Sequence, residues 1–322
     1  MYKDFEDYGW NSEEHCHRIY GGSERVSNKS VVISTWQSIY KLEKPFFDRF
    51  DVVIGDEAHG FKAKSLSSIM EKLRDAKYRI GTTGTLDGTQ THKLVLEGLF
   101  GPVKKVTTTK ELMDSNALAQ LSIDVLLLKY TDEYCQQVKK LDYQGEIDFI
   151  VQHSPRNKFI RNLAIAQTGN TLILYNYVEK HGKPLYAAID AKLNELPRRT
   201  RQLFFVSGSV ETDERERIRA ITEKEKDAII VASMGTFSTG INIRNLHNIV
   251  FASPSKSQIR VLQSIGRGLR KSDNGQPTQV FDIADDLHWK KSRNYTLDHA
   301  AERVKIYGKE KFDHSIHEID LK

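Results

Sequence analysis

The sequence has few cysteines and no long apolar stretch, and each absence narrows the class of protein. Its 322 residues include two cysteines, Cys16 and Cys135, which lie far apart in the chain. This usage argues against a disulfide framework and fits a reducing cytoplasm. No apolar run approaches the ~20 residues of a membrane helix, and the acidic, aromatic start MYKDFEDYGW is unlike a signal peptide. We therefore expect a soluble intracellular protein that has no membrane partner.

Composition and charge limit the number of domains and the kinds of ligand that we expect. With 39% apolar and 28% charged residues, the chain is long enough for one or two cores, and we expect two domains. The formal charge of +5 permits a polyanionic partner without requiring one. The cluster HCH at 15–17 lacks a second ligand pair at metal-binding spacing, which favours incidental use over a zinc site.

Short β-branched runs alternate with amphipathic stretches, which is typical of parallel-sheet α/β units. We predict that the first part, residues 1–115, has three strands and, over 62–77, a helix with apolar spacing. The runs are at 31–35, 51–55 and 78–83. Residues 116–160 are predicted to form a connector with some helix. The second part, 161–322, is predicted to form one doubly wound sheet, followed after about residue 287 by an amphipathic helical extension. Its five runs are at 171–175, 202–208, 228–233, 248–253 and 278–286.

Two acids follow one of the buried strand candidates. In VVIGDEAHG, Asp56 and Glu57 stand where ligands bind in open α/β sheets, beyond the carboxyl end of a strand. One carboxylate there can hold Mg²⁺ through water while a second deprotonates an attacking water. The alternative is a capped turn with solvated acids. GTTGTL follows the next strand, and its hydroxyl residues, Thr83 and Thr85 among them, could hydrogen-bond the acids or His59, although Thr and Gly are also ordinary turn formers.

The second part carries a more specific pattern, VLQSIGRGLRK. On a helix, Gln263, Arg267 and Arg270 share one face, and two forked guanidinium groups suit a γ-phosphate whose charge shifts during transfer. The alternative is a basic solvated face. Upstream, a polar loop including Thr236, Ser238 and Gly240 follows a buried strand and has the composition for phosphate contacts, or is only a glycine-containing loop.

Together these motifs, in this order, resemble the superfamily 2 DEAH-box-type DNA helicases, and within them the phage recombination helicases near the Rad25-type branch. DVVIGDEAH resembles motif II, TGT at 83–85 motif III, TLILYNYVEKHG motif IV, the 232–242 loop motif V and QSIGRGLR motif VI, while VISTWQS at 32–38 resembles motif Ib. The resemblance covers nearly the whole chain. It implies two RecA-like lobes, the first incomplete, with ATP and Mg²⁺ as cofactors and a nucleic-acid strand crossing both.

The resemblance also implies roles for individual residues. Asp56 would position Mg²⁺ through water, Glu57 would be the catalytic base and His59 would couple the nucleotide site to motif III. Arg267 and Arg270 would be arginine fingers supported by Gln263, and Gly240 and Asn242 would contact the nucleotide. Candidates for strand contacts, mostly to phosphates and sugars, are Thr35, Gln37, Thr83, Thr85, Ser207, Thr236 and Ser238. Such contacts carry little sequence specificity, and the affinity should fall with salt.

One expected motif is missing. The family's nucleotide-gripping loop, GxxxxGK[ST], should precede motif Ib, and the sequence does not contain it. The segment GGSERVSNKS at 21–30 ends in Lys29 and Ser30 but lacks the glycine before the lysine and has the wrong spacing. We expect a truncated or split form whose missing lobe 1 segment is encoded upstream or by a separate chain, or else a protein that has abandoned hydrolysis.

Two functions of different classes remain open at this point. The first is an ATP-dependent helicase or translocase that remodels branched or partly single-stranded DNA, or RNA–DNA hybrids, in recombination, repair or fork processing. The second is a nucleic-acid-binding module without ATPase activity. A restriction-system motor is disfavoured because no nuclease signature accompanies the motifs. The resemblance implies a cytoplasmic protein, either phage-encoded in a bacterial host or bacterial.

Overall fold

The computed structural model describes residues 1–83, 90–108, 111, 114–115, 120–197, 201–207, 220, 224–234, 245–254 and 278–321. The chain divides into two compact units, Met1–Lys104 and Lys105–Lys322. None of the helices among these residues is long and apolar enough to cross a membrane.

The first unit has two separate two-stranded parallel sheets, β1–β2 and β3–β4. The strands are β1 Cys16–Ile19, β2 Val31–Ser34, β3 Val52–Gly55 and β4 Tyr78–Gly81. The helices are α1 Tyr2–Asp7, α2 Ser12–His15, α3 Trp36–Ile39, α4 Lys44–Phe47, α5 Lys64–Lys72 and α6 Gln90–Phe100, with a 3₁₀ turn at Ala58–Lys62. The three predicted strands are confirmed as β2, β3 and β4, and the predicted helix as α5, whose Ile69 and Met70 are buried.

One face of the β3–β4 sheet is apolar and exposed. Val52 pairs in register with Tyr78 and Ile54 with Ile80, so the four side chains share one face. Their exposed fractions lie between 47% and 57%. Exposed apolar patches of this kind mark surfaces that another segment or protein covers.

The second unit is built on a seven-stranded parallel sheet in the order β11-β5-β10-β9-β6-β8-β7. The five strands predicted for this part are confirmed as β6 Thr171–Tyr175, β7 Leu203–Val206, β8 Ile229–Ser233, β9 Asn248–Phe251 and β10 Thr278–Asp286. The central strands β6, β8 and β9 are buried along their whole length. Such continuous burial is typical of parallel strands covered on both faces.

Apolar clusters cover both faces of this sheet. The helices are α7 Asp132–Val138, α8 Tyr143–Gln152, α9 Ser154–Ala166, α10 Lys183–Asn194 and α11 Tyr295–Lys309, with a π-helical turn at Val178–Gly182. One cluster includes Ala300 and Tyr307 of α11, and the other includes Ile150 of α8, Ile160 of α9 and Ile189 of α10. The predicted α/β class with a doubly wound sheet is therefore confirmed.

Two segments differ from the sequence prediction. The predicted connector, 116–160, instead supplies strand β5 Leu121–Lys129 and helices α7 and α8 to the second unit, because the run from Val125 to Leu128 is apolar enough to lie between two other strands. The predicted helical extension contains α11 but ends in an exposed edge strand, β11 Asp313–Asp320, which pairs with β5. The unit boundary also falls near residue 105 rather than 115.

Two carboxylates of β10 anchor helices on opposite faces of the sheet. Asp285, completely buried, accepts hydrogen bonds from Arg156 Nε (2.7 Å) and Nη2 (3.0 Å) on α9 and from the Tyr130 hydroxyl (2.8 Å). Burial, reinforced by the charge of Asp285, raises the pKa of Tyr130 well above its usual value. The tyrosine is therefore a fixed donor, and the group ties α9 to the sheet.

Asp282 forms a similar hydrogen-bonded group on the opposite face of the sheet. It accepts hydrogen bonds from Arg303 Nη2 (2.7 Å) and the Tyr307 hydroxyl (2.9 Å), both on α11. The start of the same helix is held by Glu146 of α8, whose carboxylate accepts from the backbone N–H groups of Tyr295 (3.0 Å) and Thr296 (2.7 Å). Since the first N–H groups of a helix have no partner within it, Glu146 acts as a cap supplied from a distant part of the chain.

Candidate functional site

The two acids of VVIGDEAHG lie in a tight turn at the carboxyl end of β3. The strand ends at Gly55, and the 3₁₀ turn begins at Ala58. Between them Glu57 has a φ of 49°, in the left-handed region that a residue with a side chain rarely adopts. A strained backbone conformation persists only where the surrounding structure holds it in place, and such residues cluster at functional sites. The side chain of Glu57 is 57% exposed, so its carboxylate is open to solvent.

Asp56 is fixed from two sides. Its Oδ1 accepts a hydrogen bond from the backbone N–H of Glu57 (2.9 Å) and one from the Thr82 hydroxyl (3.2 Å). The backbones of the turn and of the residues after β4 are also joined, since Ala58 N–H donates to the Thr82 carbonyl and Thr82 N–H to that of Gly55. The exposed carboxylate is a hard oxygen donor of the kind that Mg²⁺ prefers.

A single carboxylate is sufficient for that ion. Mg²⁺ keeps several waters and is usually bound through one or two carboxylates together with substrate phosphates. The described residues contain no group of three or more His, Cys, Asp or Glu side chains placed to hold a metal, so no closed protein cage is present among them. Asp56 therefore fits a magnesium ion that arrives with a phosphate substrate.

His59 joins Glu57 to the threonines after β4. Its Nδ1 lies 3.0 Å from Thr83 Oγ1 and 3.2 Å from Glu57 Oε2. When Nδ1 carries a proton it can donate to the Glu57 carboxylate, and without that proton it can accept from the threonine hydroxyl. The predicted contact between the acid turn and the GTT segment is present, and the state of His59 links the two.

The other residues predicted from the first part remain candidates. Thr35, directly after β2, and Gln37, in α3, are both exposed. The Thr35 hydroxyl lies 2.9 Å from Ser38 Oγ. Cys16 of the HCH cluster is buried in β1, and His15 stacks on Trp10 with ring centroids 5.6 Å apart. The incidental use of the cluster stays a prediction.

Ser207 differs from the other predicted strand contacts. It follows β7 and is only 2% exposed, so little of its surface is accessible. Its role as a phosphate contact stays a prediction. The remaining predicted residues lie outside the described part of the chain: Thr85, Thr236, Ser238, Gly240, Asn242, Gln263, Arg267 and Arg270.

A polar network at the carboxyl edge of the second sheet was not predicted from the sequence. Asn176, directly after β6, donates from its backbone N–H to Ser253 Oγ (3.2 Å) and from Nδ2 to the Pro254 carbonyl (3.2 Å). His181 Nδ1 lies 3.0 Å from the same serine oxygen, and Arg156 donates to the carbonyl of Ala252 (2.9 Å). The one available signal was the polar dipeptide Asn176–Tyr177 placed directly after a buried run.

The π-helical turn is what directs His181 into this network. Gly182 N–H donates to the Tyr177 carbonyl five residues earlier, which is the π-type hydrogen bond. A Cβ on Gly182 would lie 2.4 Å from Tyr175 Cζ, so only glycine fits against that ring. The wide turn buries His181 completely, and burial lowers the pKa of its imidazole to about 3.

Comparison with known proteins agrees with the fold. Residues 1–88 match the family described as Type III restriction enzyme, res subunit, and residues 155–272 match the Helicase conserved C-terminal domain. The ATP-dependent DNA helicase uvsW of Enterobacteria phage T4 is 34% identical over 100% of this chain. The chain belongs to helicase superfamily 2. The resemblance predicted from its motifs is confirmed.

Solved structures place the superfamily 2 chain among RecA-like folds. The crystal structure of T4 UvsW matches with a TM-score of 0.54 at 33% identity, covering 100% of this chain and 65% of that one. A fragment of a putative HsdR subunit of a type I restriction enzyme from Vibrio vulnificus YJ016 matches with a TM-score of 0.70, covering 95% of this chain and 55% of that one. Its identity is 18%, so this second likeness concerns the fold alone.

The superfamily 2 chain is shorter than its relatives. It spans 66% of the length of the phage T4 helicase. It also spans 63% of the DNA 3'-5' translocase XPB2 of Sulfurisphaera tokodaii, which is 26% identical over 79% of this chain.

Proposed function

We propose that this chain is part of an ATP-dependent DNA helicase or translocase that acts on branched DNA, and that Asp56 and Glu57 form its hydrolytic site. The observation that carries the proposal is the joined turn after β3 and β4, in which Thr82 holds Asp56 and His59 lies between Glu57 and Thr83. Phosphoanhydride hydrolysis needs a carboxylate for the metal and a base for the attacking water, both at one strand end.

Each residue then has a defined task. A bound Mg²⁺ would neutralise charge on the phosphates, and Asp56 would hold it through water. Glu57, exposed and strained, orients and deprotonates the attacking water. His59 reports the state of Glu57 to Thr83, because its Nδ1 reaches both side chains. Arg267 and Arg270 serve as arginine fingers supported by Gln263, with Gly240 and Asn242 toward the nucleotide.

The choice of DNA rests on the relatives. The phage T4 relative is named a DNA helicase and the archaeal one a DNA translocase. Strand contacts are proposed for Thr35, Gln37, Thr83, Thr85, Thr236 and Ser238, and most would go to phosphates. We therefore propose roles in recombination, repair or fork processing, in which the shape of a branched or partly single-stranded substrate, or of an RNA–DNA hybrid, matters more than its sequence.

Turnover needs a phosphate-gripping loop that this sequence does not contain. GxxxxGK[ST] is absent from the 322 residues. The exposed apolar face of β3 and β4 supports a covering segment, since Val52, Ile54, Tyr78 and Ile80 are about half exposed there. We propose that a longer form of the protein or a separate chain supplies this segment.

The experiment measures DNA binding and ATPase activity of the 322-residue chain beside Glu57→Gln. We expect both proteins to bind forked DNA more tightly than blunt duplex, with an affinity that falls steeply as salt is raised. We expect turnover by the unmodified chain to be low and to rise when a polypeptide carrying the loop is added, and Glu57→Gln to abolish it. Turnover that Glu57→Gln leaves unchanged, or binding that does not distinguish forked from blunt DNA, would refute the proposal.

A further inference from the structure

Helix α6 lies against the acid turn along one of its faces. His92, Leu96 and Phe100 are spaced four residues apart, so they share one side of the helix. His92 is 5% exposed and Leu96 is 4% exposed, which is unusual for a histidine on an amphipathic helix. All three side chains contact residues next to Asp56 and Glu57.

The contact of His92 is a hydrogen bond to the turn itself. Its Nε2 lies 2.9 Å from the backbone carbonyl oxygen of His59. A carbonyl can only accept, so Nε2 carries the proton and donates it. The bond holds the peptide between His59 and Gly60. Ala58, whose N–H donates to the Thr82 carbonyl, directly precedes His59.

Leu96 fills the space under the same turn. It packs in a buried cluster with Ala58, Phe61 and Met70. Two of these residues belong to the 3₁₀ turn that follows Glu57. Because the cluster is closed by a side chain of α6, the turn cannot move away from the helix without exposing apolar surface.

Phe100 lies over the last residues of both strands. A Cβ on Gly55 would lie 3.0 Å from Phe100 Cζ, and one on Gly81 would lie 2.9 Å from Phe100 Cγ. The ring also meets Phe61 edge-on, with centroids 5.1 Å apart. Gly55 directly precedes Asp56, and Gly81 directly precedes Thr82, so one ring touches the backbone before each partner of the Asp56–Thr82 hydrogen bond.

We propose that α6 sets the backbone position of the acid turn and that His92 is a positioning residue for Glu57 and His59. The donor at Nε2 fixes the carbonyl of His59, and through it the strained φ of Glu57 two residues earlier. This role rests on the proposed function of the acids, but the geometry that it claims can be measured without any turnover.

The first test uses the unmodified chain. A ¹⁵N imidazole spectrum in the neutral pH range identifies which ring nitrogen of each histidine is protonated. We expect His92 to be the Nε2–H tautomer. A neutral ring protonated at Nδ1 would overturn the proposal, because that ring cannot donate to the carbonyl of His59.

The second test compares His92→Leu with His92→Gln by amide hydrogen exchange. Leucine keeps most of the volume and removes the donor, whereas the Gln side-chain amide places an N–H near the position of Nε2. We expect exchange at the Ala58 and Gly60 amides to accelerate about fivefold in the Leu variant, as for the loss of one hydrogen bond, and to return toward the unmodified rate in the Gln variant.

A control separates positioning from general destabilisation. Leu73 is buried in the neighbouring cluster that includes Phe47 and Ile69, away from the contacts of α6. Leu73→Ala should lower the melting temperature without selective exchange at Ala58. If Leu73→Ala accelerates those amides as much as His92→Leu does, or if His92→Gln exchanges like His92→Leu, His92 only packs and the proposal fails. If instead Glu57→Gln leaves ATPase unchanged, the proposed function fails while the exchange result stands.

Discussion

His181 should make the second unit lose stability as the pH falls below neutral. Its ring is completely buried under the π-helical turn, 3.0 Å from Ser253 Oγ. Burial first, and the nearby charge of Arg156 second, lower the pKa of His181 from 6.5 to about 3. In the unfolded chain the ring returns to its ordinary pKa, so between these values the unfolded state binds a proton that the folded state does not. The contribution of neutral His181 to the stability is therefore fully present above about pH 6.5 and is lost as the pH falls toward 3.

The size of the stability loss follows from the interval between the folded and unfolded pKa values of His181. Each pH unit between the two pKa values lowers the free energy of unfolding by about 1.4 kcal/mol for one group. Lowering the pH from 7 to 5 should therefore remove about 2 kcal/mol through His181 alone. Burial also lowers the pKa values of His153 and His247. A variant that changes only His181 keeps both of these histidines, so their contributions to the pH dependence cancel when it is compared with the unmodified protein.

The variant is His181→Asn, which keeps a nitrogen near the position of Nδ1 and does not titrate. Any loss in the free energy of unfolding that comes from the smaller volume of Asn is the same at every pH. Urea unfolding can be followed through Trp289, which packs against the core of the second unit, in a background of Trp10→Phe and Trp36→Phe. We expect the protein with His181 to lose about 2 kcal/mol more than the variant between pH 7 and 5. Parallel pH curves would show that His181 is protonated in the folded protein, contrary to its burial.

Two further predictions concern the polar groups that hold helices to the second sheet. Arg156→Leu leaves the buried carboxylate of Asp285 without its cation, with only the Tyr130 hydroxyl still donating to it. We expect this variant to lower the free energy of unfolding by about 3 to 5 kcal/mol in urea titrations. The double variant Arg156→Leu with Asp285→Leu should recover part of that loss, and a single-variant loss below about 1 kcal/mol would contradict the pairing. Glu146→Ala removes the acceptor for the Tyr295 and Thr296 amides and should cost about 2 kcal/mol, with faster exchange at both amides. Glu146→Gln keeps one side-chain oxygen and should lose less, so equal losses would argue against capping.

The strands that could be predicted are those whose own residues carry the signal. β6, β8 and β9 are short apolar runs bounded by polar residues, and each is buried throughout. β11 could not be predicted in this way, because Asp313–Asp320 is mostly polar and exposed. It forms as an edge strand because β5 offers a free row of backbone groups, which is a property of the partner. β5 was obscured by the charged segment that follows it.

The same distinction applies to the site. Asp56, Glu57 and His59 could be predicted as members of the candidate site because their side chains are of the types that the proposed chemistry needs, and their spacing along the chain is short. His92 could not be predicted, since its partner is a backbone carbonyl 33 residues away and any residue in place of His59 would supply one. Ser207 is buried, and its position after a strand does not predict that burial. A hydroxyl after a strand has the right composition for a phosphate contact, but only the fold determines how much of it is accessible.

Phe100 could be predicted in part, because the sequence contains an indirect signal of its contact with the two strands. VVIG and YRIG each end in a glycine, and the two strands pair so that Gly55 stands beside Gly81. A glycine weakens a strand, so two at the same level indicate that something bulky approaches there. The ring of Phe100 lies within 3.0 Å of where either Cβ would lie, and at Gly55 it is joined by Phe61, whose Cζ would be 2.9 Å away. Paired glycines directly before chemically active residues therefore predict a positioning side chain above them, even where its identity requires the fold.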